Sequence, residues 1–487
     1  MGGVHLYLEK YKYSNATTEN LWSSIQEQSD VNGSSDSSSD SSSDSMSVAT
    51  LMQEWIQQPG FPVISCQRVG SNTLELIQHR FATVLNAANS SQDTKTAEQL
   101  DETVWNIPLV ILSSSVKQRH VMTKTKETIA LTTTSSPSAP TPWTLINAGR
   151  VGFYRVDYSL SMLQEIGPHV LELPAADRLG LVSDVFALSA AGLSSVTNVM
   201  QLLPHYNDED ELSVLQEIRD GLSSLLTIHS NSTTIQHYLF TLILTIFKTK
   251  ATQLGWSALP NEPSTDAVKR AVVLGMCVTA EDSDTLRTCR EQFDQIKVAQ
   301  WAEKGCDLAP ELLGLVCVAA VRHDPTDKTW TKLMELHTVA TLAADKRTFQ
   351  TALGCTKSVS LMEQTLQWAL NSGMVRNQDI FVPIASVGRT DSKRIEGAAS
   401  VVWEWFIGCY DKLVAKKLAV SLMNSVLSSV LRGVRTVKEQ DLVKQWLVGN
   451  GATTDMMKTY EKSMEAVGMK IGRRERESGV LEKLSLI

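Results

Sequence analysis

The sequence predicts a mainly α-helical protein in which a small antiparallel β-sandwich precedes a large array of stacked helix pairs. Three observations carry this prediction. Strand-like segments separated by turn residues are confined to Phe61 through Tyr158, amphipathic helical stripes fill most of the chain beyond Ser159, and 487 residues allow two or three separate cores.

The opening region, 1–58, shows helical spacing at Val4, Tyr7, Leu8 and Tyr11, continued after a polar turn by Leu21, Trp22 and Ile25. Ser47 is a candidate N-cap for a further helix, with Val48, Leu51, Met52, Trp55 and Ile56 on one face and Pro59-Gly60 as its stop. Between these patterns Ser34 to Ser45 repeats serine and aspartate with no apolar residue, which predicts a disordered surface insert. Its serines among acids suit an acid-directed kinase, although an idle solvated insertion explains them more simply.

In 59–158 the candidate strands are Phe61 to Val69, Thr73 to Phe81, Trp105 to Ser113, Val121 to Leu131, and a final pair, Trp143 to Ala148 and Phe153 to Tyr158. Gly149 and Gly152 allow the turn joining that pair. Five to seven strands in this length suit a small sandwich serving as a spacer. In 159–487 the stripes of Ala175 to Ala190, Glu209 to His229, Thr233 to Leu254, Asp266 to Val278, Leu308 to His323, Thr329 to Ala343, Leu361 to Asn371 and Val401 to Val414 are too many short helices for one compact core. Stacked helical hairpins in a curved, irregular array are the natural solution, with the concave face as the working surface.

Composition excludes several classes of function. A net charge of −8 gives no broad positive field for nucleic acid. The most apolar stretch, Ile235 to Phe247, is too short and too interrupted to span a bilayer, and Met1 to Lys12 lacks the apolar centre of a signal peptide. The seven cysteines are scattered without a C-x-x-C pair and read as reduced core residues of a cytoplasmic protein. Four N-x-S/T tripeptides, at Asn15, Asn32, Asn89 and Asn231, matter only to a secreted chain.

No residue is identified as catalytic, cofactor-binding or metal-ligating. No pair among the nine histidines has H-E-x-x-H spacing. His229 and His237 are the closest pair and read as structural. G-x-S-x-G is absent, and Gly149-Arg150-Val151-Gly152 reads as a turn rather than a phosphate loop. Asp208-Glu209-Asp210-Glu211 reads as a solvated run at a helix N-terminus, and Arg473-Arg474-Glu475-Arg476 as a salt-paired helix surface that could also receive an acidic partner.

Several segments, in order, resemble the zinc aminopeptidases related to puromycin-sensitive aminopeptidase. They are GVHLYLEKYKYSNATTENLW (from Gly3), VATLMQEWIQQPGFPVI (from Val48), WNIPLVI (from Trp105), INAGRVGFYRVDYS (from Ile146), AADRLGLVSDVFALSAAGL (from Ala175), LGW at Trp256, and VPIASVGRTDSKRIEGAASVVWEWF (from Val382). The resemblance implies that 1–58 holds the closing helices of a catalytic domain, followed by that family's sandwich and helical domain. It also implies that the exopeptidase motif, zinc helix, third zinc ligand and catalytic tyrosine all precede the first matched segment. Tyr7, Tyr11 and Tyr13 therefore do not take the catalytic role. The Ser/Asp insert and the region after Trp405 depart from the family pattern.

The implied function is that of a non-catalytic C-terminal half whose helical domain caps the substrate cleft. Zinc belongs to the intact enzyme rather than this chain, and the implied partners are peptide substrates and a catalytic half or full-length homologue, with neither nucleic acid nor membrane. On this reading the sequence is a truncated or processed form of a working aminopeptidase, and the apolar residues of the opening helices lack their partners. The alternative is an independent helical scaffold that binds peptides or a protein partner.

Overall fold

The computed structural model describes residues 2–33, 46–83, 103–113, 116–132, 143–324, 326–391, 400–434 and 436–486. The predicted Ser/Asp insert, 34–45, lies outside them. The described chain forms two compact units, Met1–Leu188 and Ser189–Ile487.

The first unit opens with helices α1 (Gly2–Lys10), α2 (Thr18–Gly33) and α3 (Val48–Gln57). Ser47 caps α3 as its position predicts, its side chain accepting the Thr50 amide. Trp55 Nε1 donates to the Asn106 carbonyl at 3.1 Å and Glu54 accepts the Asn106 amide at 2.6 Å, so α3 is fastened to the segment entering the third strand.

Seven strands follow: β1 (Pro62–Gly70), β2 (Thr73–Arg80), β3 (Ile107–Ser113), β4 (Val116–Met122), β5 (Lys126–Ala130), β6 (Thr144–Ile146) and β7 (Arg155–Tyr158). They divide into a sheet ordered β5-β2-β1-β7 and a sheet ordered β4-β3-β6. Two expectations are corrected. The stretch Val121 to Leu131 is not one strand: it ends β4, turns at Thr123–Thr125 and becomes β5 in the other sheet, with Glu127 accepting the amides of Thr123 and Lys124 to hold the turn. The final two strands do not pair with each other either. β6 pairs antiparallel with β3, whereas β7 runs parallel to β1, so the sandwich is not wholly antiparallel.

The turn between those strands explains the separation. Asn147, Gly149 and Arg150 all have positive φ, and Asn147 spans the loop, accepting the Gly152 amide and donating to its carbonyl. The chain thereby crosses between sheets. Tyr158 then clamps them: its hydroxyl accepts the Ile146 amide at 2.7 Å and donates to the Ile146 carbonyl at 3.1 Å. This is the corner device of many sandwiches. Gly149-Arg150-Val151-Gly152 is thus a turn, and Arg150 pairs bidentately with the buried Asp184.

Helices α4 (Leu160–Ile166) and α5 (Ala175–Ala191) follow, with the division between the units falling inside α5. The second unit continues with α6 (Val196–Leu202), α7 (Leu212–Ile228), α8 (Thr233–Leu254), α9 (Ser264–Thr279), α10 (Ser283–Gln295), α11 (Val298–Lys304) and α12 (Pro310–Arg322). It ends with α13 (Lys328–Val339), α14 (Ala343–Leu353), α15 (Val359–Asn371), α16 (Phe381–Asp391), α17 (Val401–Ala415), α18 (Val420–Leu431), α19 (Val437–Gly449) and α20 (Thr454–Leu484). Caps set many of the starts: Ser195, Ser232, Asp282, Ser358 and Ser400 each accept an amide of the first turn, and Thr436 with Glu439 closes a full capping box.

The helices stack in two layers. In one row α9, α12, α14, α16, α18 and α20 each pack on the next, while α10, α13, α15 and α17 cover them from the second layer. One core gathers around Phe293, Trp301 and Phe349, and the next around Trp405, Phe406 and Leu427. Each fully buried large side chain contributes about 1.5–3 kcal/mol relative to exposure. The mainly α architecture expected from the sequence is the one observed.

Candidate functional site

The longest helix, α20, organises the site. Its 31 residues extend about 46 Å at 1.5 Å per residue, and its two halves do different work. The first half buries Met456, Tyr460, Met464 and Val467 in the core that includes α18. The second half turns to α6, α7 and α8, so that the last helix of the array returns to its first ones.

A buried polar cluster fastens that return. Glu477 is 3% exposed and His229, just beyond α7, is 0% exposed. Glu477 Oε2 lies 3.2 Å from His229 Nε2, while Oε1 accepts from Ser189 Oγ at 2.7 Å and Arg473 Nε at 2.9 Å. Burial alone would raise the carboxyl pKa, but the bonds to His229, Arg473 and Ser189 outweigh it and hold it below the ordinary value. Ser478, histidine and glutamate have the residue types of a nucleophilic triad, with Ser478 Oγ 3.4 Å from His229 Nδ1. The chemistry does not follow. Ser478 donates to the Arg474 carbonyl at 2.7 Å, and neither Ser478 nor His229 lines the concavity next to the cluster. His237, the other member of the closest histidine pair, is exposed beside Phe240 and is not brought to His229.

Beside the cluster lies a concavity of ≈ 730 Å³. Its walls are the end of α7, the C-terminal ends of α16 and α18, and one face of α20. Five cations line it: Arg389 in the last turn of α16, Arg432 at the C-cap of α18, and Lys462, Lys470 and Arg474 on α20. Hydroxyls of Ser230, Ser428, Thr459 and Ser463 stand among them, and among the described residues no carboxylate lines it. Arg432 and Lys470 make no ion pair or side-chain hydrogen bond with a described residue. Partial loss of hydration beside the concavity walls, with Arg389 nearby, lowers the Arg432 pKa, and the same effect, with Arg432 nearby, lowers that of Lys470, although both side chains are exposed. The negative ends of α16 and α18 offset part of this repulsion at Arg389 and Arg432. The net result is a set of like charges around one concavity, four of them exposed and Arg474 half-buried, which a negatively charged ligand would stabilise.

Two sequence readings change here. Arg473-Arg474-Glu475-Arg476 is not a uniform salt-paired surface: Arg473 is buried against Glu477, Arg474 lines the concavity, and Arg476 donates to the Ala190 carbonyl. The run Asp208 to Glu211 lies before α7 as expected but is only partly solvated. Glu209 is buried and accepts the amides of Asp210 and Glu211, and Asp210 pairs with Lys250 and Lys269. Sequence reasoning missed Arg389, Arg432, Lys462 and Lys470. The available signal was on α20, where Thr459, Lys462, Ser463, Ala466, Lys470 and Arg474 fall on one helical face.

The cysteines are free, and all but Cys306 are buried. Burial pushes the thiols of Cys66, Cys277, Cys289 and Cys409 up to about 12, which removes thiolate chemistry at neutral pH. Zinc finds no ligand set among the described residues: no three His, Cys, Asp or Glu side chains converge, and the His229–Glu477 pair is already engaged by Arg473 and the two serines. No helix among the described residues is long and apolar enough to cross a membrane.

Comparison with known proteins places this architecture. The family model described as the ERAP1-like C-terminal domain matches residues 143–468, from β6 to the middle of α20. The chain belongs to this family, the C-terminal half of M1 aminopeptidases. The ERAP1-like chain is 27% identical over 398 residues to puromycin-sensitive aminopeptidase of Caenorhabditis elegans, covering 80% of this chain and 38% of that protein. It is 25% identical over 485 residues to mitochondrial aminopeptidase 2 of Saccharomyces cerevisiae, covering 99% and 46%. It is 23% identical over 407 residues to glutamyl aminopeptidase of Bos taurus, covering 83% and 39%. The chain thus spans less than half the length of these relatives.

Proposed function

We propose that this ERAP1-like chain is the non-catalytic C-terminal half of a zinc aminopeptidase, its helical array capping the cleft in which peptides lose their N-terminal residue. The observation that carries the reading is the family match, which runs through the end of the sandwich and most of the array. The aminopeptidase names of the relatives supply the reaction class. The buried His229–Glu477–Ser478 cluster supports a structural role for these residues, because its bonds are committed to packing α20. Seven free cysteines fit a reducing, cytoplasmic setting.

The test uses the native protein. An antibody raised against the array and applied to extracts of the source should capture chelator-sensitive aminopeptidase activity on aminoacyl-coumarin substrates. Capture of a chain of this length alone, without such activity but with retained peptides, would establish the independent scaffold instead.

A further inference from the structure

We propose that the concavity between α7, α16, α18 and α20 is a binding site for a small polyanion with clustered phosphate groups. Charge points to it first. Arg389, Arg432, Lys462, Lys470 and Arg474 line one cavity with no carboxylate among its described lining residues, in a chain whose net charge is −8. Cations scattered over an acidic protein ordinarily find acidic neighbours. Arg432 and Lys470 have none within ion-pair distance among the described residues, and both side chains are exposed beside the cavity they line.

The helix packing points the same way. A Cβ at Gly388 would collide with the Ser429 carbonyl, so the bare glycine lets α16 and α18 cross closely enough to bring Arg389 and Arg432 to one wall. Lys470 and Arg474, four residues apart on α20, supply the facing wall. Three separate helices therefore bring their cations to the walls of one cavity.

Charge density and donor geometry select the ligand. A single carboxylate supplies one negative charge and would leave most of the repulsion in place. Clustered phosphates supply several, their oxygens match the arginine forks, and the hydroxyl of Ser428 can donate to an oxygen that remains. The volume of ≈ 730 Å³ lies within the usual range of about 300–1,000 Å³ for small-ligand sites.

The test is calorimetric titration and thermal melting of the full chain with inorganic tripolyphosphate, inorganic phosphate and a glutamate-rich peptide. Tripolyphosphate should bind one per chain and raise the melting temperature, with orthophosphate and the peptide at least about ten-fold weaker. Arg432→Gln with Lys470→Gln should weaken tripolyphosphate about ten-fold or more. Without ligand, the same pair should leave the melting temperature unchanged or raise it, because the substitutions remove like-charge repulsion and no ion pair among the described residues. Lys438→Gln with Lys444→Gln, on α19 outside the cavity, should change neither readout. Non-saturable binding, equal loss in both double variants, or equal affinity for the acidic peptide would overturn the proposal, as would a fall of several degrees in the ligand-free melting temperature of the first variant.

Discussion

Glu477 keeps its charge in the interior because Arg473, Ser189 and His229 converge on its two oxygens. A buried pair is costly to break and cheap to replace, since removing one partner strands the other charge. Glu477→Ala should therefore destabilise the chain by about 3–5 kcal/mol, whereas Arg473→Met with Glu477→Leu should recover a large part of that loss, measured by urea unfolding. Because the folded carboxyl titrates below its ordinary 4.5, its contribution is present above that pH and lost as pH falls through the folded value. His337 gives a second acid dependence. Fully buried beside Trp368, it lies 3.0 Å from Gln350 Nε2, and burial, with Lys346 nearby, pushes its pKa down to about 4. The unfolded chain thus takes up this proton first. The His337 contribution to stability should be flat above about 6.5 and fall as pH drops from there toward 4. His337→Gln should reduce that slope by up to about 1.4 kcal/mol per pH unit. Neither residue's role was legible in the sequence: Glu477 and His229 stand 248 positions apart, and a lone histidine on an apolar stripe carries no mark of its partner.

Among the elements, the positions of helices and strands were more legible than the pairing of the strands. The stripe Thr233 to Leu254 coincides with α8, and those of Val401 to Val414 and Leu361 to Asn371 fall within a few residues of α17 and α15. A helix writes its burial at local spacing, and serine or threonine caps mark its start. Strand pairing is non-local. Nothing within Val121 to Leu131 shows that the chain changes sheets at Thr123, and β7 runs parallel to β1 because the positive-φ turn at Asn147 to Arg150 carries it across. Helix contacts also separate two kinds of glycine. Gly468 and Gly479 lie within α20, and an added Cβ there meets nothing within 4 Å. Ala at either position should stabilise the chain by roughly 0.4–1 kcal/mol through lost unfolded-state freedom. Gly388→Ala should lower the melting temperature instead, and also weaken tripolyphosphate binding, because it pushes α16 away from Ser429.

At the scale of the whole molecule, the sandwich followed by a helical array was legible because composition changes along the chain, whereas the basic cavity was not, because its cations are spread from Arg389 to Arg474 and meet only through tertiary packing. The same contrast governs metal binding. A zinc centre needs three or more ligands held at short, fixed distances, and a helix can encode two of them locally by i, i+4 spacing. No histidine pair of this chain has that spacing with glutamate after the first. Tertiary packing does not compensate among the described residues: no three His, Cys, Asp or Glu side chains converge, and the buried imidazole–carboxylate pair, His229 and Glu477, already satisfies Ser478, Ser189 and Arg473. Binding zinc there would strip a buried guanidinium of its partner and loosen α20 from α7. The purified chain, supplied with zinc, should therefore hold less than one metal ion per chain by elemental analysis and leave aminoacyl-coumarin substrates uncleaved at neutral pH. Stoichiometric zinc together with chelator-sensitive turnover would show that other residues of the chain assemble the ligands and the catalytic groups, and the non-catalytic assignment would fall.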